Sequence, residues 1–310
     1  MSPDDVTIVE VGPRDGLQNE PNPVPTERKV AFIAALADAG HRRIEVTAFV
    51  HPKAIPQLAD ADEVASQLPR REGVVYTALV PNDHGVARAM KTDVDQWALF
   101  TAASETFNQK NIKASIEESF ERFAPVLAAA RESGRTVRGY CSTILHCPYE
   151  GRIDPSMTVS VVRRLVDVGC SEVSLGETIG RATPGEVRDL CGRLAVEGVL
   201  DRCAVHFHDT YGMGCANALA AYEVGVRTFD ASAGGLGGCP YAPGAAGNTA
   251  TEDLIFMFNG MGVKTGVDLD AQVEASALME AALGRQLPSH AYRALRARGK
   301  GPKPDHLEMS

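Results

Sequence analysis

The sequence predicts an α/β protein built as a TIM, or (β/α)8, barrel with additional C-terminal helices. Three observations carry that prediction. Eight short β-like runs recur at fairly even spacing, and helical patterns fill the gaps between them, as in parallel βαβ units. No Gly-rich dinucleotide turn follows the first strand, which argues against an open doubly wound sheet. Eight units in about 260 residues suit a closed barrel.

The predicted strands are "TIVEV" (7–11), "RIEVTAF" (43–49), "VVYTALV" (74–80) and "QWALFTA" (96–102) in the first half. The second half supplies "VRGYCSTI" (137–144), "EVSLGE" (172–177), "CAVHFHD" (203–209) and "RTFDASA" (227–233). Amphipathic stretches at 26–40, 116–134, 156–169 and 215–225 read as helices, and several end on a glycine, the residue that best closes a helix C-terminus. The barrel is expected over residues 1–265. Residues 266–310 form a helical extension and a basic tail, with "YRALRARGKGPKPDH" (292–306) as a solvated end. Two smaller α/β domains are the competing layout, but no linker divides the chain near its middle.

Composition narrows the partners. The chain of 310 residues is 44% hydrophobic and carries a net charge of -9. That balance argues against nucleic acid or an anionic membrane surface as the main partner. No run of about 18 apolar residues suggests a membrane span, and the first strand begins too early for a leader. The 7 cysteines lack CxxC spacing and read as reduced thiols in a cytoplasm.

In such a barrel, chemistry gathers at the C-terminal ends of the strands. Arg14 and Asp15 follow strand 1, Glu45 lies on strand 2 and Glu177 ends strand 6. His206 and His208, two apart on strand 7, point to one side. With Asp15 and Asn248 they make a mixed nitrogen and oxygen set for Mg²⁺ or Mn²⁺; the alternative is a pair of structural histidines on the rim. The run "AGGLGGCPYAPGAAGN" (233–248) holds 6 glycines around Cys239, which describes a closing lid or a phosphate cradle. Asn108, Lys110, Asn111 and Lys113 follow strand 4, either to meet the phosphates of a large anion or simply to be solvated.

The strings "VEVGPRDGLQNE", "KNIKASIEESFERF", "SLGETIG", "VHFHDTYGMGCAN" and "GLGGCPYAPGAAGN" together resemble the 3-hydroxy-3-methylglutaryl-CoA lyases. The resemblance runs from about Thr7 to Gly266. It implies a metallolyase on a TIM barrel that cleaves the acyl-CoA to acetyl-CoA and acetoacetate, with a homodimeric state and a place in leucine breakdown. By the same resemblance, Asp15, His206, His208 and Asn248 hold the cation, and Arg14 steadies the developing negative charge. Glu45 positions that shell or the arginine, Asp15 or His206 takes the hydroxyl proton, and Cys239 serves proton transfer and closure.

Departures from the family pattern bear on the substrate. Glu177 stands where the family commonly has Asp. Ala48, His51 and Ile55 stand where relatives often carry Ser, Ser and Trp. These keep open a bulkier 3-hydroxy-3-alkylglutaryl-CoA, such as an isohexenyl analogue, or a barrel that binds CoA thioesters with little turnover. The last cysteine is Cys239, so the C-terminal redox cysteine of some relatives is not expected.

Overall fold

Eight parallel strands close into a single ring in the computed structural model, which describes residues 5–238 and 247–298. They are β1 (Thr7–Glu10), β2 (Arg43–Ala48), β3 (Val75–Leu79), β4 (Gln96–Ala102), β5 (Thr136–Ser142), β6 (Glu172–Glu177), β7 (Cys203–Phe207) and β8 (Thr228–Ala231). Each pairs with its sequence neighbours, and β1 pairs with both β8 and β2 to seal the barrel. The outer layer comprises α1 (Thr26–Asp38), α2 (Ala61–Ser66), α3 (Asp83–Ala89), α4 (Glu105–Ile112), α5 (Ile116–Glu132), α6 (Pro155–Asp167), α7 (Pro184–Val196) and α8 (Gly214–Val224). After β8 come α9 (Thr251–Gly260), α10 (Leu269–Leu283) and α11 (His290–Arg298). Of these, α10 packs on α1 and α9, and α11 on α9. No helix among the described residues is long and apolar enough to cross a membrane.

Local chemistry explains the boundaries. Ser115 and Glu118 cap α5 reciprocally: Ser115 Oγ accepts from the Glu118 N–H at 3.0 Å, and Glu118 Oε2 accepts from the Ser115 N–H at 2.6 Å. Asp154 caps α6 ahead of Pro155, whose missing N–H costs nothing at that position. Beyond α1, α6 and α8 the chain turns through Gly40, Gly169 and Gly225, all at positive φ. β4 and β6 match the expected ranges, whereas "CAVHFHD" stops at Phe207 and "RTFDASA" shrinks to Thr228–Ala231, because the ladder ends where the chain turns out over the rim. The segment after β4 is helical. Ser104 Oγ accepts from the Phe107 N–H and starts α4.

The main apolar core lies between the strands and the helices, drawn from alternate strand positions such as Val137 and Cys141. The other face of the strands, inside the barrel, is largely charged and polar. Arg43 makes two hydrogen bonds to Glu172, at 2.8 and 2.7 Å. Arg138 bonds Glu172 at 2.6 Å and grips Asp230 through both terminal nitrogens, at 3.0 and 2.6 Å. A small apolar group, Ala48, Leu79, Ala98 and Tyr140 with Leu58, fills one side nearer the rim. This interior departs from the aliphatic layers usual in the fold.

Candidate active site

The turn after β1 is unusually wide. The Val11 carbonyl accepts from three successive N–H groups, those of Arg14 (3.2 Å), Asp15 (2.8 Å) and Gly16 (3.1 Å). This single π-type coil is a local expansion of the sort that recurs at functional sites. Pro13 has no N–H to satisfy, and Gly12 donates its own to Glu10 Oε1 at 2.7 Å.

Asp15 stands at the centre of the donor groups. Its Oδ1 accepts from Arg14 Nη1 at 2.7 Å, and its Oδ2 accepts from Asn248 Nδ2 at 2.9 Å. Oδ2 also lies 3.9 Å from His206 Nε2. The His206 and His208 rings sit 5.4 Å apart, and ligand atoms of Asp15, His206 and His208 all fall within 4.8 Å of one another. Asn248 spends its amide N–H groups on Asp15 and on the Leu236 carbonyl, so its Oδ1 is left buried without a partner among the described residues. A buried acceptor without a donor calls for an explanation. One carboxylate and two imidazoles within 4.8 Å of one another, with the Asn248 amide beside Asp15, fit a small divalent cation.

Charge supports that fit. Burial would raise Asp15, yet the charges of Arg14, His206 and His208 and the Asn248 hydrogen bond bring it down to about 2, so it is ionised. Burial, then the neighbouring His206 charge, holds His208 down to about 4, leaving it neutral and able to ligate. For His206 burial also acts downward, but Asp230 and Asp15 outweigh it and the net direction is upward.

Arg14 is fixed on three sides. Nη1 binds Asp15, Nη2 binds Glu45 Oε2 at 2.7 Å, and the guanidinium carbon lies 5.4 Å from the centre of the Tyr140 ring. Glu45 in turn accepts from the Tyr140 hydroxyl at 3.0 Å, and that oxygen accepts from Arg138 Nη1 at 2.9 Å. A β-bulge between Glu45 and Thr47 lets Glu45 face this group while Ala48 joins the apolar wall. Above Asp15, His206 and His208 opens a cavity of about 320 Å³, walled opposite by Ile55, Phe100 and Phe107.

A model of the HMGL-like family matches residues 5–279. The chain belongs to that family. It is 50% identical over 293 residues to hydroxymethylglutaryl-CoA lyase of Pseudomonas mevalonii, spanning 94% of this chain and 97% of that protein. It is 48% identical over 296 residues to the 3-hydroxy-3-isohexenylglutaryl-CoA/hydroxy-methylglutaryl-CoA lyase of Pseudomonas aeruginosa, spanning 96% and 99%. The crystal structure of hydroxymethylglutaryl-CoA lyase from Pseudomonas aeruginosa superposes with a TM-score of 0.93 at 48% identity, over 96% of this chain and 99% of that one.

In this HMGL-like chain some expected site residues lie elsewhere. Glu177 is not turned toward the cavity. Its flanking residues Gly176 and Thr178 line the cavity, while Glu177, on the opposite face of the strand, accepts the backbone N–H of Arg181 at 3.2 Å. It shapes the loop after β6. Asn108 is also turned inward: helical phase buries it completely, with Nδ2 donating to Thr101 Oγ1 at 3.0 Å. Lys110 lies over the Tyr149 ring at 3.7 Å, and Lys113 turns its ammonium back to the Lys110 carbonyl. Asn111 lines the cavity. Cys239 and the tail beyond Arg298 lie outside the described residues.

Sequence reasoning passes over Tyr140, Arg138 and Asp230, which continue the Arg14–Glu45 chain into the barrel. It also misses Glu10. Fully buried, Glu10 accepts from the N–H groups of Gly12 and Ala233 and from Thr251 Oγ1 at 2.7, 2.9 and 2.7 Å. One carboxylate thus ties the Arg14–Asp15 turn to the root of the Gly-rich run. Its neighbour Glu252 accepts the Gly234 N–H with both oxygens. The only signal in the sequence is a carboxylate inside an otherwise apolar strand.

A pH test follows from these acids. Burial pushes Glu10 up to about 8, and Glu252 and Glu177 up to about 7. The folded protein holds these protons more tightly than the unfolded chain. Their contribution to stability is therefore complete below the ordinary carboxylate range and is lost as pH rises through about 7 to about 8. For Glu10 the shift is worth at most about 5 kcal/mol. Calorimetric melting across that range is expected to show Tm falling with pH, and Glu10→Gln is expected to flatten part of the fall. An unchanged slope in the variant would contradict the assignment.

Proposed function

We propose that the chain is a divalent-cation-dependent carbon–carbon lyase that cleaves 3-hydroxy-3-methylglutaryl-CoA to acetyl-CoA and acetoacetate. The observation that carries the reading is Arg14 and Asp15 side by side, with Asp15, His206 and His208 offering ligand atoms within 4.8 Å of one another. The naming of relatives at about half identity over nearly the whole chain agrees with it.

Asp15, His206, His208 and Asn248 would hold Mg²⁺ or Mn²⁺. Bound there, the cation supplies Lewis acidity that makes the tertiary hydroxyl easier to deprotonate. Asp15, ionised and facing the cavity, accepts the hydroxyl proton, with His206 beside it as the other candidate. As the C2–C3 bond breaks, its electron pair moves onto the thioester carbonyl, and Arg14 stabilises the enolate oxygen that forms. That charge exists only late in the reaction, so the interaction raises rate rather than ground-state affinity. Glu45 and Tyr140 hold Arg14 still. Return of a proton to C2 completes acetyl-CoA, a step for which Cys239 is the candidate donor. The nucleotide end of CoA runs past Asn111 toward the exposed Lys110 and Lys113. Family likeness carries a homodimer acting in leucine breakdown. The described cysteines are all unpaired, in keeping with a reducing cytoplasm.

A second reading keeps the mechanism and enlarges the 3-substituent. It is favoured by the apolar wall of Ile55, Phe100 and Phe107, and by the isohexenyl substrate in the name of one relative. One assay separates the two: acetoacetate release from the methyl substrate by metal-stripped protein, with and without added Mg²⁺ or Mn²⁺. Turnover restored only by cation is expected. Protein that binds cation yet leaves the methyl substrate intact would overturn that substrate, and the isohexenyl analogue would then be assayed.

A further inference from the structure

We propose that Asp230 is a positioning residue that fixes the tautomer of His206, so that Nε2 presents its lone pair to the cation. The inference rests on the cation reading above and deepens it.

Asp230 and His206 are direct register partners on the adjacent strands β8 and β7, and both side chains face the barrel interior. His206 Nδ1 lies 3.4 Å from Asp230 Oδ2, and that nitrogen has no closer partner among the described residues. On the other side of the ring, Nε2 points to Asp15. A neutral imidazole carries one N–H, on one nitrogen or the other. If Nδ1 were bare, its lone pair would face a carboxylate oxygen that can only accept. With the proton on Nδ1, the same contact becomes attractive and Nε2 is left free to ligate. The 3.4 Å separation is long for a hydrogen bond, and such contacts tighten when the site is filled.

Asp230 is held in its accepting state by donors alone. Arg138 supplies two N–H groups and Ser174 Oγ a third, at 2.7 Å from the oxygen that faces His206. The carboxylate can neither rotate away nor turn a proton toward the imidazole. Arg138 is itself anchored by Glu172 and Tyr140. Outer partners of this kind orient ligating histidines, and their loss typically weakens metal binding about 10- to 100-fold.

The test uses the full chain with ¹⁵N-labelled histidine and Mn²⁺ as the probe. In metal-free wild type at a pH where imidazoles are neutral, His206 is expected to show a protonated Nδ1 and a bare Nε2. Asp230→Asn, which keeps the shape and loses the charge, is expected to mix the tautomers and to weaken Mn²⁺ binding about 10- to 100-fold. A wild-type His206 protonated at Nε2 would overturn the proposal without any variant, which matters if Asp230→Asn fails to fold. Wild-type Mn²⁺ affinity in a folded Asp230→Asn protein would overturn it as well. Absence of Mn²⁺ binding in wild type would instead sink the cation reading, and this inference with it.

Discussion

Arg14→Gln is expected to lower kcat by about 100- to 1,000-fold while KM changes little, the signature of an interaction made mainly in the transition state. The guanidinium is pinned by Asp15 and Glu45 and stacked on Tyr140, so no reorganisation is required when charge appears on the thioester oxygen. Arg14→Lys is expected to recover little, because a point charge cannot reproduce a fork that binds two carboxylates at once. Steady-state kinetics on both variants, with Mn²⁺ affinity measured alongside, checks the assignment. A variant that raised KM in proportion and spared kcat would place Arg14 in substrate binding instead.

Arg138→Met is expected to destabilise the fold by about 3–5 kcal/mol, as urea unfolding would report. The side chain is completely buried, and its removal strands Asp230, also buried, and deprives Glu172 of one of its two arginines. The loss comes from uncompensated buried charge more than from any strength of the pair itself. Adding Asp230→Asn to that variant removes the stranded carboxylate, so the double variant should lose less than the sum of the single losses. Additive losses would show that the two groups do not act as one unit.

Much of this was legible in the sequence. Strand periodicity and glycine stops located all eight strands within two residues at each end, because alternation and helix closure are local properties. His206 and His208 announced themselves by their spacing, and Arg14 with Asp15 by standing together at a strand end. Asp230 did not, since its meaning lies in Arg138, 92 residues away, and in a register that only the closed barrel sets. Glu177 misled for a related reason. Its place at a strand end suggested the site, but β6 already turns Ser174 inward toward Asp230, and counting on from Ser174 turns Glu177 away. Asn108 required the phase of a helix that its surroundings did not advertise.

The charged interior of the barrel also acts as a depth gauge. Below His206 the space is filled by Asp230, Arg138 and Glu172, a column whose members cannot be trimmed without stranding one another. A longer substrate branch therefore cannot sink along the barrel axis. It can only spread sideways, toward Ile55, Phe100 and Phe107, where apolar side chains can be exchanged for others of similar volume at modest cost. In this chain the width of the cavity can therefore change by such exchanges while its charged floor stays fixed.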